Sequence, residues 1–346
     1  MNTSDPIGVA LVGAGMIATT HVAAMSDARD VVALKTIVSR RPEKAADLAD
    51  LYAGPAPLFT SDISAVAADP AIQMVIVATP PNVRHAVIEP LAQAGKHILL
   101  EKPVARTSAE AAEIVEICEA AGVSLGLLFQ HRVRASSQAA TRLVASGDLG
   151  ALGHVEIAAP LWRDQSYYDE LGRGTYARDG GGVMLTNAIH SIDLALSLTG
   201  PVTSVQAMTA TSPLHQMEAE DVAVAGLQFA NGAVGSLVAS TATFPHGQES
   251  ITLHYARGSI RIIKDNLVVS WRDGTVETLC RDAPMPDETP VTGGTHIWHQ
   301  GIIEDFAKAI REGRPPMITG REALKSHHLI TAIETSSREG RRVDVV

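Results

Sequence analysis

Three groups of residues in this chain have types and spacings that could do chemistry. Lys102 stands between Glu101 and Pro103 at the end of the apolar run "HILLEKP". An ammonium held at the carboxyl edge of an open α/β sheet can polarise a carbonyl or lower the pKa of a substrate hydroxyl; an ordinary ion pair with Glu101 is the plainer alternative. Gly13-Ala14-Gly15-Met16-Ile17-Ala18 forms a GxGxxA turn between a first apolar strand and a first helix. The stretch "GGGVMLTNAIHSIDLALSL", 180–198, reads as an apolar helix, yet it carries Thr186, Asn187, His190 and Asp193 at helical spacing. Thr186 and Asn187 lie one turn before His190, so all three can face one cavity. Asp193, one turn later, either orients His190 or serves as a structural hydrogen-bonding group, and the structural role is preferred.

The glycine turn points to a dinucleotide. A diphosphate needs close backbone approach and the free N–H groups of a helix N-terminus, which side chains larger than Gly would block at Gly13 and Gly15. Met16 and Ile17 complete that turn. The second strand, "LKTIVSRRPEK", has no Asp or Glu at its tip to accept ribose hydroxyls. Ser39, Arg40 and Arg41 stand there instead, suited to a 2'-phosphate, so NADP(H) is favoured over NAD(H). The other possibility is that these arginines are solvated loop residues. Thr79, Pro80, Asn82 and His85 follow the "QMVIVAT" strand and, with Glu101 and Lys102, complete the expected cofactor edge.

The elements that must position these groups fall into two textures. From Ile7 to about Leu128, "IGVALVG", "VVALKTIV", "QMVIVAT", "KHILLE" and "VSLGLLF", with a weaker run near Leu58, alternate with helical stretches at 16–27, 42–52, 82–94 and 108–121. Apolar strands joined by helices predict a doubly wound parallel sheet, a nucleotide-binding domain over residues 1–128. Pro90 should kink its helix or end it early. After about 130 the pattern predicts a helix at 134–146, a strand at 154–161, and five or six strand-like runs from Val202 to Cys280 divided by "NG", "RG", "KDN" and "RDG" turns. Helices at 297–312 and 321–339 close the chain. Residues 129–346 are thus expected to form a second, α+β domain with a mainly antiparallel sheet, its final helices able to pack back on the first.

Composition narrows the function classes. A net charge of -10 argues against nucleic-acid binding, and 46% hydrophobic with 19% charged residues describes a folded protein. Two cysteines, Cys118 and Cys280, make neither a disulfide framework nor a thiolate metal site. No basic segment followed by a long apolar one, and no unbroken run of about 18 apolar residues, leads to the expectation of a soluble, cytoplasmic protein. His296 and His299 in "HIWHQ" lack acids or cysteines nearby in sequence, read as the first turn of a helix, and no metal is expected.

Taken together, GxGxxA after the first strand, "AGKHILLEKP" after the fifth, "GGG" followed by "AIHSIDL", and the ending "DFAKAIREGRPPMITGREALKSHHLITAIETSSREGRRVDV" resemble the Gfo/Idh/MocA oxidoreductases over nearly the whole chain. The resemblance implies a Rossmann domain followed by a large, open, mainly antiparallel sheet that forms homodimer or homotetramer contacts. It implies hydride transfer between a nicotinamide and a secondary alcohol on a sugar, cyclic polyol or dihydrodiol. Carried over by position, Lys102 binds and polarises the reacting oxygen, while His190 is the general base in oxidation and the acid in reduction. Inositol-type members carry Asp four residues before the histidine, where this chain has Thr186, and its wording is closer to phthalate dihydrodiol-type members.

The loop "LWRDQSYYDELGRGTYARDGGG" is the expected substrate mouth, with Trp162, Arg163, Tyr168 and Arg173 offering flat faces and donors for hydroxyls or a carboxylate, and Gln130 just beyond the last strand of the first domain joining them. Thr186 and Asn187 are expected to touch the same polyhydroxylated ring substrate. Two competing functions share these motifs: a nucleotide-sensing protein that does no chemistry, and a transient oxidation that permits elimination before the hydride returns.

Overall fold

In a computed structural model, residues 5–281 and 295–346 are described. The elements in chain order are β1 (Ile7–Val12), α1 (Ala18–Asp27), β2 (Val32–Val38), β3 (Leu58–Thr60), α2 (Ile63–Ala68), β4 (Met74–Val77), α3 (Arg84–Gln93), β5 (His97–Leu100), α4 (Ser108–Ala120) and β6 (Leu125–Leu127). They continue with α5 (Ala135–Ser146), β7 (Leu152–Pro160), α6 (Gln165–Tyr168), α7 (Ile189–Thr199), β8 (Val202–Ala210), β9 (Val222–Phe229), β10 (Val234–Ser240), β11 (Ser250–Tyr255), β12 (Gly258–Ile263), β13 (Asn266–Trp271) and β14 (Val276–Cys280). The last are α8 (Ile297–Glu312), α9 (Gly320–Glu339) and β15 (Val343–Asp344).

The chain divides into two compact units, and the division does not follow chain order. The first unit runs to Ala105, resumes over 109–130, and takes in α8 and the chain up to Ala323; the second holds 106–108, the sheet-rich middle, and the chain from Leu324 onward.

In the first unit a six-stranded parallel sheet runs β3-β2-β1-β4-β5-β6. Both faces are covered, which is why β1 and β4 are buried at every residue and carry no polar alternation. The predicted helix at 42–52 is instead two short 3-10 turns, Pro42–Lys44 and Ala46–Leu51. Pro90 does not end α3 early: the helix continues to Gln93, losing one backbone donor near its end and no more. α8 packs beside α1.

The second unit is built on a nine-stranded sheet, β14-β13-β12-β11-β7-β10-β9-β8-β15. All its pairings are antiparallel except β7 with β10. Burial alternates along β7, β9 and β11, as expected of a sheet with one covered face. α5 and α7 cover that face.

Candidate active site

In the first unit β1 delivers the chain to Gly13 at φ +112, where a Cβ would stand 2.7 Å from the carbonyl oxygen of Ala78, so only glycine fits. A Cβ on Gly15 would meet nothing within 4 Å; that side of the turn is open. Met16 and Ile17 complete the turn, and α1 then begins with no side chain capping its N–H groups. Thr79, just past β4 at the same sheet edge, has a buried hydroxyl that finds no hydrogen-bond partner among the described residues. An open turn, an uncapped helix start and an orphaned hydroxyl fit a dinucleotide. Ser39 follows β2; its hydroxyl accepts from the Arg41 amide at 3.2 Å, and Arg40 and Arg41 are exposed and make no ion pair among the described residues. Pro80 and Asn82 are exposed, the first just before and the second within the 3-10 turn Pro81–Val83 that leads into α3.

Glu101 and Lys102 follow β5, and the structure brings three distant side chains to them. Glu101 is buried, with one carboxylate oxygen 2.9 Å from His21 Nε2 and 3.6 Å from His299 Nε2. Its other oxygen accepts the Lys102 amide N–H at 3.2 Å. Burial pushes the carboxyl up, but the two imidazoles override it and hold it well below the usual carboxylate range; burial drives His21 down. Arg84, 2% exposed, donates to the carbonyls of Thr79 at 3.0 Å, Glu101 at 2.5 Å, Val104 at 3.4 Å and Lys102 at 3.5 Å. Burial pulls its guanidinium down to about 10, against the charge of Glu101, so it remains a cation at neutral pH. The Lys102 backbone is thereby held through both its amide and its carbonyl.

His85, expected at the cofactor edge, stands beside Arg84 at the start of α3. Its ring is half-exposed, 3.8 Å from Glu89, while Arg84 takes the inward position. His296 and His299 do open α8, as expected, yet acids lie beside both: Asp27 is 2.7 Å from His296, and Glu101 meets His299. The expectation that these histidines lack acidic neighbours is therefore corrected by the fold. His21, Glu101 and His299 are close enough to share an ion, but the 2.9 Å His21–Glu101 contact already serves as a hydrogen bond.

In the second unit the apolar helix starts with a π-helical turn, Met184–Ala188, before α7. Gly182 is required because a Cβ would sit 1.7 Å from the Glu220 carbonyl oxygen. Glu220 is buried and its carboxylate accepts from the amides of Gly182 at 2.9 Å and Met184 at 3.1 Å, anchoring the segment. Thr186 and Asn187 are the half-buried positions of this otherwise buried stretch. The Thr186 hydroxyl lies 2.7 Å from the Gly182 carbonyl and 2.9 Å from Asn187 Oδ1. His190, 7% exposed, stacks on His131 with centroids 4.6 Å apart and planes 27° apart. Both oxygens of Asp193 accept from the Arg132 guanidinium at 2.7 Å.

The loop residues mostly hold one another. Tyr168 is buried, its hydroxyl 2.6 Å from Thr241 Oγ1, and burial pushes it up to about 12. Arg173 pairs with Glu170 and lies 4.2 Å over the Tyr167 ring. Trp162 donates to Asp164 and packs edge-on against Phe244. Arg163 donates to the Trp162 carbonyl, and its own carbonyl accepts from His215, whose other ring nitrogen meets Asp221 at 2.7 Å. Tyr168 and Arg173 have internal partners, and the buried His215–Asp221 pair is not foreshadowed by any motif in the chain. Gln130 closes the first unit's second segment and is half-buried.

Residues 7–129 match the oxidoreductase family with NAD-binding Rossmann fold, and residues 137–261 match the GFO/IDH/MocA C-terminal domain. The chain belongs to this family of nicotinamide-dependent oxidoreductases. It is 29% identical to D-apiose dehydrogenase of Paraburkholderia graminis, covering 97% of this chain and 89% of that one. It is 24% identical to scyllo-inositol 2-dehydrogenase (NADP(+)) of Bacillus subtilis, covering 98% and 96%. The WlbA dehydrogenase of Bordetella pertussis, solved with NADH and UDP-GlcNAcA, is 30% identical, covers 99% of both chains and superposes with a TM-score of 0.82. Levoglucosan dehydrogenase, solved with NADH and levoglucosan, is 25% identical over 99% of both chains, with a TM-score of 0.87. Among the described residues no helix is long and apolar enough to cross a membrane.

Proposed function

We propose that this protein moves a hydride between a nicotinamide cofactor and a secondary alcohol or ketone carbon of a sugar, cyclic polyol or dihydrodiol, with Lys102 and His190 serving the substrate oxygen. The observation that carries the reading is the clamping of Lys102 by Glu101 and Arg84, in the same unit as the open glycine turn. A buried cation and a buried anion spent on one lysine's backbone are explained if that lysine must be aimed. When bound, the nicotinamide supplies the hydride acceptor in oxidation and the donor in reduction. Lys102 would hold the substrate oxygen and favour its deprotonated form; the His190 imidazole would take the hydroxyl proton in oxidation and return it in reduction. Thr186, Asn187, Gln130, Trp162 and Arg163 are proposed to contact the ring.

Several finer assignments belong to the same reading. NADP(H) is favoured, because Arg40 and Arg41 are exposed without carboxylate partners beside Ser39. A homodimer or homotetramer would form through the open sheet face, which exposes Met208, Val224, Val234 and Val238. The cytoplasm is the proposed location.

The test incubates pure protein with NADP+ or NAD+ and a panel of sugars, polyols and dihydrodiols, following absorbance of the reduced cofactor. Lys102→Ala and His190→Ala should each lower turnover by about 10²–10⁴-fold. Activity that survives both changes would remove the proposed roles. Fluorescence titration with NADPH and NADH decides the cofactor, and cofactor that stays bound without net reduction would favour oxidation–elimination chemistry instead.

A further inference from the structure

We propose that His215 is a positioning residue for the substrate mouth: it carries a proton on each ring nitrogen, and through them it fixes the Arg163 backbone against Asp221. His215 lies between β8 and β9, Asp221 stands one residue before β9, and both side chains are fully buried. His215 Nδ1 is 2.7 Å from Asp221 Oδ2, and its Nε2 is 2.8 Å from the Arg163 carbonyl oxygen. A backbone carbonyl can only accept, so Nε2 donates. The Asp221 carboxylate is an acceptor throughout: Oδ1 takes the Ser212 amide N–H at 2.6 Å, and Oδ2 takes the Ser212 hydroxyl at 2.6 Å. Nδ1 therefore donates as well, and only the imidazolium offers both donors. The faces of the ring are closed by aromatic neighbours, Trp162 and Tyr168, with centroids 5.6 and 5.0 Å away.

The ring sits at a junction of three segments of the second unit. The Arg163 amide donates to the Thr241 carbonyl at 2.9 Å, just past β10, and the Thr241 amide donates to the Asp221 carbonyl at 2.8 Å. With His215 on its carbonyl, Arg163 has both backbone groups taken. At the far end of the mouth segment, the Tyr168 hydroxyl meets Thr241 Oγ1 at 2.6 Å. Between them the Gln165 side chain accepts from the Gln216 amide at 2.8 Å and donates to the Gln216 carbonyl at 3.2 Å. A buried ion pair is weak evidence for stability, because packed apolar residues of the same volume commonly do as well or better. What this pair supplies is direction: two charge-assisted hydrogen bonds at fixed angles, which apolar packing cannot specify. The carbonyl they aim belongs to the short stretch that carries the Trp162 and Arg163 side chains, so His215 sets where those two side chains start from. The inference rests on the reading that Trp162 and Arg163 touch the substrate ring.

The state of the ring and the ordering of the mouth are read without turnover, which separates this inference from that reading. In the full-length protein, labelled at histidine with nitrogen-15 and held at pH 7, one ring should show two slowly exchanging N–H signals, both absent from His215→Phe. Amide hydrogen exchange over 162–168 should be about 10-fold faster or more in His215→Phe, with His215→Gln, which keeps one donor, between it and the wild type. With a substrate from the panel, KM should rise about 10–100-fold in His215→Phe, the worth of a hydrogen bond to a charged group, while kcat changes less than about threefold. His215→Gln should recover part of that loss, and it supplies the same comparisons if His215→Phe does not fold. A ring with a single proton at pH 7, mouth exchange that is the same in variant and wild type, or a fall in kcat at unchanged KM would each overturn the proposal. Absence of cofactor reduction by the wild type across the whole panel would instead remove the dehydrogenase reading and leave the ring signals and the exchange rates to decide this one.

Discussion

Glu101 in the first unit and Glu220 in the second are buried almost equally, at 7% and 5% exposure, and they end with opposite acidities. Glu101 faces two imidazoles and is held well below the ordinary range in spite of its burial. Burial raises Glu220, and the amide donors at Gly182 and Met184 offset only part of that rise. Its neighbour Glu334 is pushed up to about 7, first by burial and then by the charge of Glu220, with Arg338 opposing. Depth alone therefore does not decide whether a carboxyl is an acid or an anion; the donors and charges around it do. The first unit spends its anion on Lys102. The second uses the Glu220 carboxylate to anchor the glycine turn and the π-helical start of the histidine helix.

The largest break in that comparison comes from stripping Glu101 of its donor. His21→Leu leaves a buried carboxylate half-compensated and should cost about 3–5 kcal/mol of stability, read by denaturant unfolding. Retained stability would mean that the imidazole is not what holds the charge. Next, Glu101→Gln removes the anion at nearly constant shape. Because the Lys102 amide loses its ionised acceptor, turnover should fall by about 10²-fold with little change in cofactor affinity. A loss confined to cofactor binding would instead make Glu101 a nucleotide contact.

The smallest effect is one of pH. The folded-state pKa of Glu101 is depressed, so its contribution to stability is present above the unfolded value of 4.5 and is lost as pH falls through the folded one. Glu334 runs the other way. Between 4.5 and about 7 the folded chain holds a proton there that the unfolded chain has released, so stability declines as pH rises across that window. Glu334→Gln should flatten that decline, seen as a difference in melting temperature that grows from pH 5 to 7.5. Parallel curves for variant and wild type would refute the raised pKa of Glu334.

Much of the frame was legible because it is local. The glycine turn, the apolar parallel strands and the start of α8 each follow from a few adjacent residues. The parallel β7–β10 pair was missed because alternation along a strand says nothing of its neighbour's direction. The π-helical turn at Met184–Ala188 was missed because helical spacing was counted at 3.6 residues throughout. The residues around Glu101 were missed for a different reason: they lie 80 and 198 positions away along the chain. A signal was nevertheless available. His21 falls on one helical stripe with Ala18, Val22 and Met25, Arg84 with Ile88 and Leu91, and His299 with Ile302, Ile303 and Phe306, all buried. A polar residue on an otherwise apolar stripe must find a partner inside, and His85 and His296 lie off those stripes.

The return of the chain into its first unit has a consequence for how the molecule is made. A Cβ on Gly126 would come 2.6 Å from the Phe306 ring, Leu127 donates its amide to the Ile318 carbonyl, and Glu101 waits for His299. During synthesis, a ribosome must therefore release more than three hundred residues before the nucleotide half can close its last core layer. Until then the growing chain exposes an apolar groove beside β6, which makes the nascent first half a natural client for chaperones and a poor candidate for expression by itself.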